Sequence, residues 1–177
     1  MTSRAQPNDC IRAVVLTSSD RCAQGTMIDL GGPAVAAFVR DRLAGDVVES
    51  EIVPDDIDRI EAFLRAWTAP RSRIDLAIIT GGTGLSPRDC SPEAALRVID
   101  RPHPGLMELA RARCGANHPR AYLSRGVAGC AGATLILTLP GSPTGAVEVL
   151  EALHDILPHA VRMLRGVSST HAHSDTP

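Results

Sequence analysis

Two aspartates and a glycine-rich turn are the residues of this sequence best suited to chemistry. Asp55 follows an apolar segment, and Asp89 lies five residues beyond the turn Thr-Gly-Gly-Thr-Gly at residues 80–84. Glycines let the backbone turn sharply and bring its N–H groups close to a bound phosphate. Two carboxylates from different loops beside such a turn suit Mg²⁺ held jointly by the protein and by substrate phosphates. The pattern favours metal-dependent phosphoryl or nucleotidyl transfer, and a strand-to-helix turn that binds nothing is the simpler alternative.

Alternating strand and helix patterns must position these residues. Strands are predicted at residues 13–16, 47–53, 76–80 and 134–139, and helices at 31–43, 57–67, 92–99, 106–114 and 144–157. Residues 121–132 are predicted to form a hairpin or loose strands, and residues 17–25 a polar loop. Because strands and helices alternate, we expect a three-layer α/β/α sandwich with a mostly parallel central sheet.

Helix caps are the structural alternative for some of the polar residues. Ser91 precedes Pro92, a pattern that predicts Ser91 as the N-cap of the helix that follows. Either Asp55 or Asp56 could cap the helix at 57–67 in the same way. Capping is therefore the competing explanation for Asp55.

Four predicted strand ends, near residues 17, 54, 80 and 139, each lead into a polar or glycine-containing loop. In a parallel sheet these ends share one edge, where α/β proteins bind their ligands. We therefore expect the site at this edge. Substrate binding is assigned there to Ser19, Asp20, Arg21, Thr80, Gly81, Gly82, Thr83, Arg88, Gly141 and Ser142.

Composition limits the function classes. The 177 residues fit one domain, predicted at 11–166, with flexible termini at 1–10 and 167–177. A net charge of −2 disfavours a nucleic-acid-binding domain, and all 18 basic residues are arginine, which excludes a P-loop or Schiff-base lysine. Five scattered cysteines without metal-ligand spacing indicate a reduced, cytoplasmic setting. No apolar run reaches the roughly 20 residues of a membrane span, so no membrane association is expected.

Two other enzyme classes with α/β folds are disfavoured by their motifs. The dinucleotide fingerprint Gly-x-Gly-x-x-Gly fails, because counting from Gly82 and Gly84 places Pro87 at the third glycine. The Gly-x-Ser-x-Gly elbow of α/β hydrolases is absent from the sequence. The glycine-rich turn is therefore not explained by either class.

A series of short motifs resembles the molybdenum-cofactor biosynthesis family, in the branch of bacterial molybdopterin adenylyltransferase and the G domains of gephyrin and its plant counterpart. The resemblance extends from about residue 13 to 165. The motifs occur in the family's order and at compatible spacings. They are Thr-Ser-Ser-Asp-Arg at 17–21, Pro-Asp at 54–55, Thr-Gly-Gly-Thr-Gly at 80–84, Pro-Arg-Asp at 87–89, Ser-Pro-Glu-Ala at 91–94, Leu-Ser-Arg at 123–125 and Leu-Pro-Gly-Ser at 139–142.

The resemblance implies a reaction in which molybdopterin and ATP give adenylyl-molybdopterin and pyrophosphate with Mg²⁺. Asp55 and Asp89 match the family's two functionally important aspartates and would be the catalytic residues and metal ligands. The matched motifs add Gly84, Ser124 and Pro140 to the substrate-binding residues. The resemblance also implies a cytoplasmic homotrimer that passes its product to a molybdate-inserting enzyme. A trimer that holds molybdopterin for another enzyme without catalysis is the alternative.

Overall fold

A six-stranded sheet forms the centre of the protein in the computed structural model, which describes residues 10–166. Its strands are β1 Arg12–Ser18, β2 Asp46–Val53, β3 Leu76–Thr80, β4 Arg101–Pro102, β5 Ala128–Ala131 and β6 Thr134–Leu139, in the order β2-β1-β3-β6-β5-β4. β2, β1, β3 and β6 run parallel, whereas β5 is antiparallel to both of its neighbours. The predicted mostly parallel sheet is confirmed. The predicted flexible termini lie outside the described residues, apart from residue 10.

Helices cover both faces of this sheet. They are α1 Asp20–Ala23, α2 Gly31–Arg42, α3 Ile57–Thr68, α4 Ser91–Leu96, α5 Pro104–Gly115, α6 Pro143–Leu153 and α7 Leu157–Leu164. α2, α5, α6 and α7 pack with Leu76 and Ile78 of β3 in one core, and α3 and α4 pack with Ala77 and Ile79 in the other. Successive strand residues point to opposite faces, so the fully buried β3 contributes to both cores. The three-layer α/β/α arrangement is confirmed.

The carboxyl ends of the four parallel strands lie at one edge of the sheet. Ser18 at the end of β1 is paired with Val53 at the end of β2. Thr80 at the end of β3 is paired with Thr17 of β1 and with Leu139 at the end of β6. The predicted shared edge is therefore confirmed, and the loops that follow these four strands are neighbours.

The predicted start of α4 is wrong. The helix begins at Ser91 itself, Cys90 takes the N-cap position, and no side chain makes a capping hydrogen bond. Ser91 does not act as the cap: its buried side-chain oxygen makes no hydrogen bond, and its N–H donates to the carbonyl of Gly82 at 3.1 Å. The helix also ends at Leu96, earlier than predicted.

The predicted helix at 144–157 is two helices. α6 ends at Leu153, and α7 begins at Leu157 with Pro158 in its first turn. Proline has no N–H to continue the ladder of α6, but its fixed φ suits the first turn of a new helix. A helix at 157–164 was not predicted.

Several short elements also differ from prediction. The predicted polar loop at 17–25 contains α1, whose first turn is capped by the Ser19 side chain accepting from the N–H of Cys22. The segment between the helices predicted at 92–99 and 106–114 contains β4, and α5 begins at Pro104 rather than at residue 106. The hairpin expected within 121–132 is confirmed in part, because β5 pairs antiparallel with β6. No helix within residues 10–166 combines the length and the apolar character needed to cross a membrane.

Asp75, just before β3, anchors both ends of the described chain. Arg165 donates to both carboxylate oxygens of Asp75 at 2.7 Å and to the carbonyl of Cys10 at 2.7 Å. The backbone N–H of Arg12 donates to the same carboxylate at 2.8 Å. Asp75 is only 8% exposed, so its charge depends on these partners. Asp75, at the start of β3, therefore connects the end of α7 through Arg165 with the start of β1 through Arg12.

Replacing Arg165 by methionine is expected to lower the free energy of unfolding by about 3 kcal/mol, because it leaves the buried charge of Asp75 without its cation. Chemical denaturation measures the change. Arg162→Met on the exposed side of α7 is the control and should change stability by less than about 0.5 kcal/mol. Equal effects of the two variants would contradict an anchoring role for the Asp75 ion pair.

Candidate functional site

A cavity of about 610 Å³ lies at the carboxyl edge of the sheet. Its volume is in the range of small-molecule sites. The structure brings together there most of the residues assigned from sequence, namely Ser19, Asp20, Arg21, Asp55, Thr80, Gly81, Gly82, Asp89, Gly141 and Ser142. Thr83, Gly84, Arg88, Ser124 and Pro140 do not line this cavity.

Asp55 is held in a fixed orientation by the loop that follows β1. The Ser18 hydroxyl donates to Asp55 Oδ1 at 2.6 Å, and the N–H of Asp20 donates to Asp55 Oδ2 at 3.1 Å. In return, the N–H of Asp55 donates to Asp20 Oδ1 at 3.1 Å. Capping of α3 falls to Asp56, which accepts from the N–H of Arg59 at 3.0 Å. The structure therefore removes capping as the explanation for Asp55.

Arg88 forms an ion pair with Asp20 across two loops. Its Nε and Nη2 donate to Asp20 Oδ2 at 3.0 and 2.6 Å. These hydrogen bonds lower the pKa of Asp20, so the carboxylate stays ionised at neutral pH. The Arg88 side chain is 65% exposed and belongs to the glycine-rich segment, from which it reaches the loop after β1. This arrangement places a solvent-accessible guanidinium beside the cavity, where it can also pair with a phosphate.

The glycine-rich turn has a backbone that only glycine adopts readily. Gly81 and Gly82 have φ angles of +104° and +60°. A Cβ on Gly81 would lie 2.1 Å from the carbonyl oxygen of Ser18, so the turn packs directly against the end of β1. Thr80 is fully buried, and its hydroxyl donates to the carbonyl of Pro140 at 2.7 Å. Thr80 therefore connects the two glycine-containing turns. Its hydroxyl proton is used in this hydrogen bond and is not available to donate to a substrate.

Asp89 lines the cavity, and its side chain accepts a hydrogen bond from its own loop. Its Oδ2 accepts from the N–H of Ser86 at 3.1 Å, and its N–H donates to the carbonyl of Ser86 at 3.0 Å. The same oxygen is 2.7 Å from the position that a Cβ on Gly84 would take. Asp89 does not cap α4, since no side chain does so. Its carboxylate is thus positioned by the turn rather than by the helix.

Arg125 fixes the shape of the glycine-rich segment and was missed as a site residue. Its Nε donates to the carbonyl of Gly84 and its Nη2 to the carbonyl of Asp89, both at 2.7 Å. Its backbone N–H donates to the carbonyl of Thr83 at 2.8 Å, and its guanidinium pairs with Glu93. Arg125 is therefore a positioning residue for the segment that carries Asp89. Its place in the motif Leu-Ser-Arg was the only signal in the sequence.

Asp29 is a second cavity residue that sequence analysis missed. Its Oδ2 accepts from the Thr17 hydroxyl at 2.7 Å, and its Oδ1 accepts from the N–H of Gly32 in the first turn of α2 at 3.0 Å. The carboxylate thereby joins the end of β1 to the start of α2. An aspartate three residues before a helical N–H is a capping pattern, and this was the available signal. Exposed Ile28 and Leu30 flank Asp29 along the same cavity.

A second cavity of about 210 Å³ adjoins the first. Ser124 and Pro140, predicted for the main site, line this smaller cavity instead. Ser142 lines both cavities, and its hydroxyl accepts from the N–H of Gly145 as the N-cap of α6. The residues predicted to bind substrate are thus divided between two cavities that share Ser142, and their role in binding stays a prediction.

The carboxylates of Asp55 and Asp20 and the Ser18 hydroxyl offer oxygen atoms, which are the ligands that Mg²⁺ prefers. Within residues 10–166, no three His, Cys, Asp or Glu side chains are grouped so that they could hold a metal ion. A cation at Asp55 would therefore need neutral oxygen donors, water and substrate phosphates to complete its shell. Ser91 Oγ, a buried hydroxyl without a hydrogen-bond partner, faces Gly82 beside Asp55. These residues fit a magnesium ion shared with a substrate.

Cys90, between Asp89 and Ser91, is not suited to nucleophilic chemistry. Burial, reinforced by the nearby charge of Asp55, raises the pKa of its thiol to about 11. The thiol is therefore protonated at neutral pH, and a thiol is a weak nucleophile in that form. Carboxylates, hydroxyls and the guanidinium of Arg21 are the polar side-chain groups that line the cavity.

Comparison with known protein families identifies the family to which this chain belongs. Residues 14–159 match the family described as "Probable molybdopterin binding domain". The chain belongs to this molybdopterin-binding family. The match covers all four parallel strands apart from the first residues of β1, and it includes both aspartates and both glycine-containing turns. The resemblance seen in the sequence motifs is thereby confirmed.

Individual members of the family are similar over most of this chain. The molybdopterin adenylyltransferase of Helicobacter pylori strain J99 is 37% identical over 153 residues, which cover 86% of each protein. The molybdenum cofactor synthesis protein cinnamon of Drosophila melanogaster is 38% identical over 162 residues, and this chain spans only 27% of its length. The crystal structure of the molybdopterin biosynthesis enzyme MoaB from Thermus thermophilus is 45% identical, with a TM-score of 0.80 over 88% of this chain and 97% of MoaB.

Proposed function

We infer that this protein is a molybdopterin adenylyltransferase, which transfers the adenylyl group of ATP to the terminal phosphate of molybdopterin and releases pyrophosphate. The observation that carries the inference is the fixed carboxylate of Asp55 beside the Gly81–Gly82 turn, with its positive φ angles, in one cavity. The 37% identity to a relative of that name, over 86% of both chains, supports the same activity.

The reaction requires two phosphate groups to meet in line. An oxygen of the molybdopterin phosphate forms a bond to the α-phosphorus of ATP, and the bond between that phosphorus and the bridging oxygen to the β-phosphate breaks, so that pyrophosphate leaves with the electron pair. Backbone N–H groups of the glycine-rich turn orient phosphate oxygens, and Arg88 offers a guanidinium. Ser142 belongs to both adjoining cavities, which suits a reaction of two substrates.

Magnesium is assigned to Asp55 and Asp89, two of the four aspartates that line the main cavity. When bound with ATP, the metal neutralises phosphate charge during transfer. Without a cation, the two carboxylates would repel a polyphosphate. The protein's own contribution is to hold Asp55 through the Ser18 hydroxyl and the N–H of Asp20, so that the carboxylate needs no reorientation when substrate binds.

The direct test is turnover. Purified protein is incubated with molybdopterin, ATP and Mg²⁺, and the products are separated and identified by mass. A parallel sample with the non-cleavable analogue α,β-methylene-ATP is the control, because it allows binding but no adenylyl transfer. Molybdopterin that stays bound and unmodified in the ATP sample would favour a holding protein without catalysis.

Replacing Gly82 by alanine is expected to weaken binding of molybdopterin and ATP at least tenfold. The new Cβ would lie 2.6 Å from Ser91 Oγ at a φ of +60°, so the turn must shift. Gly132→Ala is the matched control, since Gly132 has a φ of +57° but nothing within 4 Å of a new Cβ. Both variants should lose about 1 kcal/mol or more of stability from backbone strain. Normal binding by Gly82→Ala would place the phosphate cradle elsewhere.

We also propose that the protein is a cytoplasmic homotrimer that hands adenylyl-molybdopterin to a molybdate-inserting enzyme. These assignments rest on the resemblance to the family, and the handover follows from the chemistry of an activated product that needs a second enzyme. Multi-angle light scattering at micromolar concentration tests the assembly. A mass near 56 kDa is expected from three chains of 18.7 kDa each. A mass of one chain would contradict the trimer.

A further inference from the structure

Ser91 has a buried hydroxyl that the fold leaves without a partner. The residue is fully buried. Within residues 10–166, Ser91 Oγ is the one buried side-chain nitrogen or oxygen that makes no hydrogen bond. Buried polar groups are nearly always paired, and the exceptions in native proteins call for an explanation in ion or water binding, catalysis or strain. A helix cap is not the explanation, because α4 has no side-chain cap.

The hydroxyl faces the carboxylate that the proposed reaction depends on. Ser91 Oγ lies 2.6 Å from the position that a Cβ on Gly82 would occupy. Ser18 Oγ lies 3.3 Å and Asp55 Oδ1 3.4 Å from that same point. Three oxygens from three separate segments therefore lie within 3.4 Å of one point beside the Gly82 backbone. Gly82 and Asp55 both line the main cavity, and Ser91 lies behind Gly82 without lining the cavity itself.

The partners already present leave Ser91 as the free member of this group. Ser18 Oγ donates to Asp55 Oδ1 at 2.6 Å, and the N–H of Asp20 occupies Asp55 Oδ2. The N–H of Ser91 is also used, since it donates to the carbonyl of Gly82. Only the hydroxyl of Ser91 remains available, and it can both donate and accept. The Ser91 hydroxyl can therefore donate a hydrogen bond to a water molecule or accept one from it.

We propose that the Ser91 hydroxyl binds a water molecule in the hydration shell of a divalent cation held on Asp55. The proposal rests on the proposed function, because it assigns this residue to the cation of the same site. Mg²⁺ and Mn²⁺ keep several water ligands when few carboxylates bind them, and Asp55 is one such carboxylate. Because residue 82 is glycine, no side chain separates the Ser91 hydroxyl from Ser18 Oγ and Asp55 Oδ1.

Ser91→Ala separates this role from a structural one. The variant removes a buried hydroxyl that has no partner, so the melting temperature should stay the same or rise. Mn²⁺ affinity should fall at least tenfold, as for the loss of other outer-shell partners of a metal. The affinity is measured with Mn²⁺ alone from the electron paramagnetic resonance signal of the free ion, and the melting temperature by calorimetry.

Thr134→Val is the matched control for the loss of a buried hydroxyl. Thr134 is 3% exposed, and its hydroxyl donates to the carbonyl of Ile74 at 2.7 Å, at the start of β6 and away from the site. This variant should melt at a lower temperature and bind Mn²⁺ as the unchanged protein does. We expect Ser91→Ala to keep or raise the melting temperature and to lower Mn²⁺ affinity. Thr134→Val should lower the melting temperature and leave Mn²⁺ affinity unchanged.

Two outcomes overturn the proposal, and neither coincides with failure of the adenylyltransferase assignment. Unchanged Mn²⁺ affinity in Ser91→Ala removes the role of the hydroxyl, and absence of Mn²⁺ binding to the unchanged protein removes the cation site. Adenylyl-molybdopterin formation by the unchanged protein is assayed separately. If Mn²⁺ binding depends on Ser91 but no adenylyl transfer occurs, the cation site stands and the proposed function falls.

Discussion

Asp55→Asn is expected to lower the rate of adenylyl transfer by about 10³-fold, because it removes the fixed negative charge that holds the cation against the substrate phosphates. The cost in stability should be only about 1 kcal/mol. Asp55 accepts from the Ser18 hydroxyl and from the N–H of Asp20, whereas asparagine keeps one accepting oxygen and its NH₂ group can only donate, so one of these two hydrogen bonds is lost. The variant is assayed for transfer rate, Mn²⁺ affinity and melting temperature on the same preparation.

Asp56→Asn is the matched control for this variant. Asp56 is the next residue, carries the same charge and caps α3 through the N–H of Arg59. Asparagine is an equally good N-cap, so both stability and transfer rate should remain near those of the unchanged protein. Equal loss of activity in the two variants would show that charge near the start of α3, rather than a ligand position at Asp55, matters.

Asp89→Asn is expected to lower the transfer rate on the order of 10²- to 10³-fold while the protein stays folded. The Oδ2 of Asp89 accepts a hydrogen bond from the N–H of Ser86, and the asparagine carbonyl oxygen can accept it equally. The shape of the loop is held independently by Arg125, which binds the backbone carbonyls of Gly84 and Asp89. The substitution therefore tests charge with little change in geometry.

Molybdopterin affinity separates the possible causes of a loss at Asp89. Binding should survive in Asp89→Asn, since neutral donors and arginine hold the phosphate and a nearby negative charge has been removed. A melting temperature within about 2 °C of the unchanged protein would confirm that the loop is intact. Near-normal transfer at saturating Mg²⁺ would mean that Asp89 only stabilises its own turn through Ser86.

Local patterns were sufficient to predict the sheet and the location of the site. Residues 76–79 form an unbroken apolar run, and a strand buried on both faces needs no partner information to be recognised. Once four predicted strands alternate with helices, parallel pairing follows, and the polar loops at their carboxyl ends must meet. The neighbourhood of Asp55, Asp89 and the glycine-rich turn was therefore predictable without knowledge of any contact.

Contacts between distant segments were not predictable in the same way. Arg125 binds Gly84 from 41 residues away, and its motif Leu-Ser-Arg gives no indication of which backbone carbonyls it contacts. Ser91 illustrates the opposite error, since Ser-Pro is a good local pattern for an N-cap. Packing against Gly82 overrides that preference, and the helix begins one residue earlier. Tertiary packing thus decided these positions.

The most direct test of the adenylyltransferase assignment measures adenylyl-molybdopterin and pyrophosphate after a single turnover with excess enzyme, molybdopterin and ATP, with and without Mg²⁺. We predict equal amounts of the two products, formed only when the divalent cation is present and reduced about 10³-fold in rate in Asp55→Asn. Intact ATP beside bound, unmodified molybdopterin in the presence of Mg²⁺ would contradict the assignment.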